Sequence, residues 1–131
     1  MSARIKRTIQ IAMSNYSEIT GACVFSVENN PGYMTENLHL KKDDFYTLVR
    51  AWNGEVSQFM VKNIPFITVL NSDKSLVAIN PSGATSIIMA TGKGIWFVIA
   101  FAPMDADKSG ILRECIQAAK NLETSVSIYD V

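Results

Sequence analysis

The feature that most limits how this chain can fold is an uncharged stretch, Ser75 to Gly92, which contains no acidic or basic residue. Together with the residues that follow, it divides into three apolar segments: Ser75–Asn80, Ala84–Ala90 and Ile95–Phe101. The segments are separated by Asn80-Pro81-Ser82-Gly83 and by Thr91-Gly92-Lys93-Gly94, which are rich in residues typical of turns. This pattern predicts a three-stranded antiparallel meander.

The third segment of the meander is apolar at every position, so both sets of alternating side chains are apolar. Ile95, Phe97, Ile99 and Phe101 form one set, and Trp96, Val98 and Ala100 form the other. A sheet with one wet face would instead alternate apolar and polar residues. We therefore expect the protein's own helices to cover both faces; partial cover by a partner is the alternative.

A helix is predicted to follow the meander, because Ala102-Pro103 ends the strand and apolar residues then recur at helical spacing. Asp105 is the expected cap at its start. The apolar positions are Ile111, Leu112, Cys115, Ile116, Ala119 and Leu122.

The remainder of the chain alternates between helical and extended patterns. We predict a first helix that ends near Asn15, strands at Gly21–Val27 and Tyr33–Thr35 around a turn at Glu28–Gly32, a helix at Lys41–Trp52, and one extended segment at Phe59–Asn71. Pro65 places part of that last segment at an edge or a bulge. Helices at both ends of a mostly antiparallel sheet predict an α+β domain, and 131 residues fit one such domain.

Composition narrows the class of protein further. Hydrophobic residues make up 48% of the chain and charged residues 18%, which is typical of a globular domain. A formal net charge of zero argues against a nucleic-acid binder, and no apolar run reaches the roughly 20 residues that a transmembrane helix needs. Cys23 and Cys115 fall on apolar faces, which predicts buried, reduced thiols in a cytosolic protein.

The sequence contains no pattern that indicates catalysis, a metal or a cofactor. The lone histidine, His39, precedes a helix and fits a loop or capping role, and Asp43-Asp44 fits the acidic first turn of that helix. Gly92-Lys93-Gly94 leads into a strand, whereas a phosphate loop leads into a helix. We therefore expect a binding protein and not an enzyme.

Three segments resemble the profilin family. Thr91-Gly92-Lys93-Gly94-Ile95-Trp96-Phe97 resembles the family's Thr-Gly-x-x-Leu-Val-Phe hairpin. Ile19–Phe25 is similar to its first strand, Leu-Thr-Ala-Ala-Ala-Ile-Ile, and Leu40–Phe45 to the start of its second helix, Phe-Lys-Pro-Glu-Glu-Ile. The order and spacing of these segments agree over almost the whole chain, and the likeness is greatest to the profilins of Asgard archaea.

The resemblance implies a single profilin-like domain over residues 1–131, with the N- and C-terminal helices on one face of the sheet and a shorter helix on the other. It also implies a monomeric, cytoplasmic protein of the cytoskeleton that binds monomeric actin and regulates its polymerisation through the last strands and the start of the terminal helix. Carried onto this chain, the actin-binding residues are Asn71, Lys74, Met89, Lys108, Ser109, Leu112 and Arg113. The basic residues that often precede the family's Thr-Gly are replaced here by Met89 and Ala90.

Two further ligands follow from the resemblance, namely polyproline and phosphoinositide lipids. Profilins bind polyproline on an aromatic platform between the terminal helices. The corresponding positions here are Ile5, Ile9, Tyr33 and Tyr129, so the first helix contributes aliphatic side chains where a Trp and a Tyr are usual. We therefore expect an incomplete platform.

Two other classes of protein have a similar order of elements. A roadblock or longin-type scaffold dimerises by sheet extension or docks on a small GTPase. A small-ligand sensor would need a pocket with converging polar groups, and the apolar meander offers few of these.

Overall fold

A single antiparallel sheet forms the centre of the protein. In the computed structural model, which describes residues 3–26, 31–35 and 38–125, seven strands form this sheet and three helices pack on it. The elements are α1 (Ala3–Asn15), β1 (Gly21–Ser26), β2 (Pro31–Met34), α2 (Lys42–Trp52), β3 (Gln58–Val61), β4 (Ile64–Asn71), β5 (Ser75–Ile79), β6 (Ser86–Thr91), β7 (Trp96–Ala102) and α3 (Lys108–Ser125). The predicted α+β class is confirmed.

The order of the strands is β2-β1-β7-β6-β5-β4-β3, so the first strand pairs with the last. Gly21 pairs with Phe101 and Ser26 with Trp96, which places β7 inside the sheet between β1 and β6. The predicted meander is β5, β6 and β7, in which Ser75 pairs with Ala90 and Ser86 with Ala102.

Helices cover both faces of β7, as its composition predicts. Trp96, Val98 and Ala100 belong to a core beneath α1 and α3, which we call the α1/α3 core. Phe97, Ile99 and Phe101 belong to a second core on the opposite face, beneath α2. The helical residues in these cores include Ile5 and Ile9 of α1, Ile111, Cys115, Ala119 and Leu122 of α3, and Phe45, Leu48 and Ala51 of α2.

The prediction of one extended segment over Phe59–Asn71 is wrong, because the chain reverses at Lys62-Asn63 to form the β3–β4 hairpin. Both turn residues have positive φ, 55° and 64°, as the tight hairpin turn that matches strand twist requires. Sequence patterns detect such turns mainly through glycine, and this turn has none. Pro65 pairs with Met60 of the edge strand β3, and its carbonyl accepts a 2.7 Å hydrogen bond from Asn80 Nδ2.

Two predicted boundaries are also wrong. Strand β2 includes Pro31 and Gly32, which were expected in a turn; β2 lies at the sheet edge, where proline is tolerated, and Pro31 pairs with Phe25 beside a bulge. Asp107 caps α3 in place of Asp105, since its Oδ1 accepts the Gly110 N–H at 3.0 Å. Asp105 lies in the preceding turn, which is closed by a hydrogen bond from Ala106 to the Pro103 carbonyl.

Both cysteines are buried and free, as predicted. Burial disfavours the thiolate and raises the pKa of both thiols, that of Cys115 to about 12, where the neighbouring Glu114 charge adds to the effect. The two thiols lie on opposite faces of the sheet, Cys23 beneath α2 and Cys115 beneath α3. They are therefore poorly placed to react with each other or with an oxidant.

The C-terminal half of α3 is tied to the β6–β7 hairpin by one carboxylate. Glu123 accepts backbone N–H bonds from Lys93 at 2.6 Å, Ile95 at 2.8 Å and Trp96 at 3.2 Å. The helix lies so close that a side chain at Gly92 would overlap Glu123 and Lys120. Within the turn, the Thr91 hydroxyl accepts the Gly94 N–H and donates to the Trp96 carbonyl.

We predict that Glu123→Ala lowers the free energy of unfolding by about 1–3 kcal/mol, because three backbone donors lose a charged acceptor. Urea denaturation followed by circular dichroism measures the change. Glu18→Ala, which removes an exposed carboxylate from a loop, serves as the control and is expected to change stability by less than about 0.5 kcal/mol. Equal effects of the two substitutions would show that the turn does not depend on Glu123.

Candidate functional site

The helices leave part of one sheet face uncovered. Helix α3 packs mainly on β6 and β7 and has few contacts with β5, whereas α1 lies over β1 and β2. Beyond β5, on the α3 side, the large apolar side chains of Met60, Ile67 and Leu70 are 56%, 37% and 43% exposed. We call the α3-side surface of β3 and β4 the open face.

The strand register shows why these side chains point to the α3 side. Ile67 pairs with Ile79 and Leu70 with Val77, and Val77 belongs to the α1/α3 core. Paired residues share a face of the sheet, so Ile67 and Leu70 continue that apolar surface outward, past the edge of α3.

Strand β4 also contains a β-bulge with an exposed apolar residue. The register shifts between Thr68 and Leu70, which pair with consecutive residues of β5, so Val69 is the extra residue. Val69 is 57% exposed. A groove of about 340 Å³ adjoins the open face; its walls are Gln58, Phe59, Met60, Pro65, Phe66, Ile67 and Pro81.

The start of α3 forms the border of the open face. Ser109, Leu112, Arg113 and Ile116 are spaced i, i+3, i+4 and i+7, so they share one flank of the helix. The other flank, which includes Glu114 and Gln117, lines a groove toward α1. Because α1 and β5 lie on opposite sides of α3, the Ser109–Ile116 flank faces the open face.

Four of the residues predicted to bind actin are therefore neighbours: Lys108, Ser109, Leu112 and Arg113. Ser109 and Arg113 are exposed, and Leu112 is half-buried against the α1/α3 core. The Lys108 ammonium donates to the Met104 carbonyl, which anchors the first turn. Lys74 is exposed just before β5, at the end of that strand away from the start of α3, and at 3.4 Å per residue it lies about 17 Å from Ile79 at the other end.

Two of the predicted site residues do not contribute to this surface. Met89 has no exposed surface and packs in the core beneath α2, because its place in β6 points it away from α3. Asn71 pairs with Leu76, which also faces α2, and its amide donates to the carbonyls of Ala51 and Trp52 at the end of α2. Asn71 therefore holds the end of α2.

Sequence patterns do not identify Met60, Ile67 and Leu70 as part of a site. The sequence signal for these residues is a strand that is apolar on both faces, although polar residues are expected on the face exposed to solvent. The sequence hides that signal, because Phe59–Asn71 contains a turn without glycine at Lys62-Asn63 and the bulge at Val69 breaks the alternation.

The predicted polyproline positions do not form a platform in the described part of the chain. Ile5 and Ile9 have no exposed surface, because both point into the α1/α3 core. Tyr33 is half-buried against the same core, and Tyr129 lies outside the described residues. The groove between α1 and α3 holds about 70 Å³ and is bordered by Ile11, Ala118 and four polar residues.

A polar hollow of about 410 Å³ lies at the start of α2, bordered by His39, Lys41, Asp43, Asp44, Lys62 and Asn63. Asp44 is engaged there, since its carboxylate accepts the N–H groups of Lys41 at 2.9 Å and Lys62 at 3.2 Å. Among residues 3–26, 31–35 and 38–125, no group of three His, Cys, Asp or Glu side chains is arranged to hold a metal ion. None of the described helices has the length and hydrophobicity needed to span a bilayer.

The strand order, with the terminal helices on one face and α2 on the other, defines the profilin fold. Comparison with solved structures supports this: LokiProfilin2 from a complex with rabbit actin superimposes with a TM-score of 0.85 at 16% identity, over 96% of this chain and 100% of that one. LokiProfilin1, also from a rabbit actin complex, gives 0.86 at 17% identity, over 96% and 98%. Schizosaccharomyces pombe profilin gives 0.74 at 11% identity, over 91% and 96%.

No family model matches the sequence, and no curated protein matches it significantly. The fold is therefore that of a profilin-like protein, whereas the sequence is divergent. The predicted likeness to profilins is confirmed for the fold.

We predict no detectable binding to a ten-proline peptide. A polyproline helix needs flat aromatic surface, and each missing aromatic anchor costs about 1–2 kcal/mol. Titration of the peptide into the millimolar range, followed by NMR chemical shifts, measures binding. Saturable shifts that map to both α1 and α3 would show that an aliphatic groove suffices.

Proposed function

We propose that this profilin-like protein binds monomeric actin and regulates actin polymerisation in the cytoplasm, by binding and not by catalysis. The observation that carries the proposal is structural: two proteins with the same fold, LokiProfilin1 and LokiProfilin2, were solved in complex with rabbit actin. The proposed contact is the open face together with the α3 flank that borders it.

The chemistry of the open face supports a protein partner. Met60, Ile67 and Leu70 project from adjacent strands and leave apolar area in water, where contiguous apolar surface marks an interaction site. Complete burial of a fully exposed side chain of this size stabilises a complex by about 1.5–3 kcal/mol, and these side chains, which are 37% to 56% exposed, would contribute roughly half of that. The apolar side chains of β4 thus provide the centre of an interface.

The charged residues lie at the border and not at the centre of this surface. Strand β4 carries no charge, whereas Lys108 and Arg113 stand on α3 beside it. Charges at a rim mainly set the association rate and the orientation of the partner, while the apolar centre determines how long the complex lasts. The replacement of basic residues by Met89 and Ala90 in β6 leaves the α3 residues as the cationic part of the contact.

Binding to purified monomeric actin in a pull-down, run beside size-exclusion chromatography of the protein alone, tests the proposal. We expect a monomer that retains actin. A stable dimer that retains no actin would favour the roadblock or longin-type scaffold, which pairs through a sheet edge; the edge strands here are β2 and β3.

Arg113→Glu is expected to weaken binding to monomeric actin at least about tenfold, because it reverses a charge on the α3 flank without removing a buried contact. Sequestration in a pyrene-actin assay measures the affinity, and circular dichroism checks the fold. The matched control is Lys42→Glu, which makes the same charge change on exposed α2, across the sheet. Equal affinities of the two variants would place the contact elsewhere.

Leu70→Ser is expected to weaken actin binding by roughly tenfold, because it removes most of an exposed apolar side chain from the centre of the open face. Ile11→Ser is the matched control: Ile11 is 52% exposed, but it lies on α1, away from this surface. Both variants should stay folded, and the same pyrene-actin assay compares them. If Ile11→Ser weakens binding as much as Leu70→Ser, the actin contact includes α1 and the proposed face is wrong.

A further inference from the structure

One methionine differs from the others in its surroundings. Among the methionines at positions 13, 34, 60, 89 and 104, which the structure describes, Met60 is 56% exposed. Met89 is fully buried, and Met13, Met34 and Met104 are partly buried. Met34 is further shielded, since its sulfur accepts the Leu40 N–H at 3.2 Å. Among these five methionines, Met60 therefore presents the most surface to an oxidant in solution.

The two cysteine thiols do not compete with Met60 for reaction with peroxide. Thiols react with peroxides as thiolates, and access decides the rate. Cys23 and Cys115 are both buried, and burial raises their pKa values, so both remain protonated and inaccessible at neutral pH.

The position of Met60 connects oxidation to binding. Met60 stands on the edge strand β3, pairs with Pro65 and borders the groove beside Ile67. Its sulfur is thus part of an apolar surface, where a sulfoxide would place a strongly polar group that water solvates well. A partner that covers this surface would have to strip that water from the sulfoxide.

We propose that Met60 is a peroxide-sensitive modification site whose oxidation to the sulfoxide weakens binding of monomeric actin to the open face; this inference rests on the proposed function. Hydrogen peroxide transfers one oxygen atom to the Met60 sulfur. The peroxide O–O bond breaks, an S–O bond forms, the sulfur loses two electrons, and the peroxide is reduced to water. Methionine sulfoxide reductase reverses the change.

The test combines a map of oxidation with a measurement of affinity. The full chain is treated with limiting hydrogen peroxide, the methionines are assigned by peptide mass spectrometry, and binding to monomeric actin is titrated before and after treatment. We expect Met60 to be oxidised first among the five methionines named above and the affinity to fall roughly tenfold. Circular dichroism should stay unchanged, and reductase treatment should restore the affinity.

Two variants control the test. Met60→Leu keeps an apolar side chain that peroxide does not oxidise, so its affinity after treatment should equal its own affinity before treatment. Met13→Leu changes a methionine on α1, away from the open face, and should keep the full peroxide effect.

The outcomes separate this inference from the proposed function. A protein that binds no actin even before treatment overturns the proposed function. Unchanged affinity after complete oxidation of Met60 overturns the inference alone, as does an equal loss of affinity in Met60→Leu. Oxidation of Met13, Met34 or Met104 as fast as Met60 contradicts the selectivity on which the inference depends.

Discussion

The burial of strand β7 on both faces is the constraint on which the rest of the fold depends. Every side chain from Trp96 to Ala102 is buried, with one alternating set beneath α1 and α3 and the other beneath α2. A strand that is apolar on both faces is stable only inside a sheet whose two faces are both covered. The terminal helices, which are far apart in sequence, meet because β1 and β7 pair and each helix must cover its own end of the same face.

The open face follows from the same arrangement, because α1 and α3 side by side are narrower than the seven-stranded sheet on which they pack. Helices pack about 8–10 Å apart and strands about 4.8 Å apart, so two helices cover roughly four strands. Here they cover β2, β1, β7 and β6, and the surface of β4 and β3 remains beyond them. Burial of Phe59, Val61 and Phe66 beneath α2 keeps these two strands folded while their α3-side residues stay in water.

Sequence patterns were sufficient where a residue's surroundings follow from its neighbours along the chain. The uncharged meander, the apolar alternation in β7 and the helical spacing from Ile111 to Leu122 predicted three strands, two covered faces and the terminal helix correctly. The positions that failed depend on contacts between distant segments. The resemblance to profilins implies Met89 and Asn71 as binding residues, but the apolar pattern of β6 does not say that Met89 faces α2, and the bonds from Asn71 to α2 cross about twenty residues of chain. The bulge at Val69 has no signal in the sequence pattern, because a bulge is set by pairing between strands.

The anchoring of α3 has a consequence for how a partner would associate. The helix is fixed at its start by Asp107 and Lys108 and at its far end by Glu123, so the flank beside the open face is held at both ends. A surface that is rigid before contact loses little conformational entropy when the complex forms. Association should then resemble the docking of two rigid bodies, with a rate limited by orientation and charge and not by a folding step.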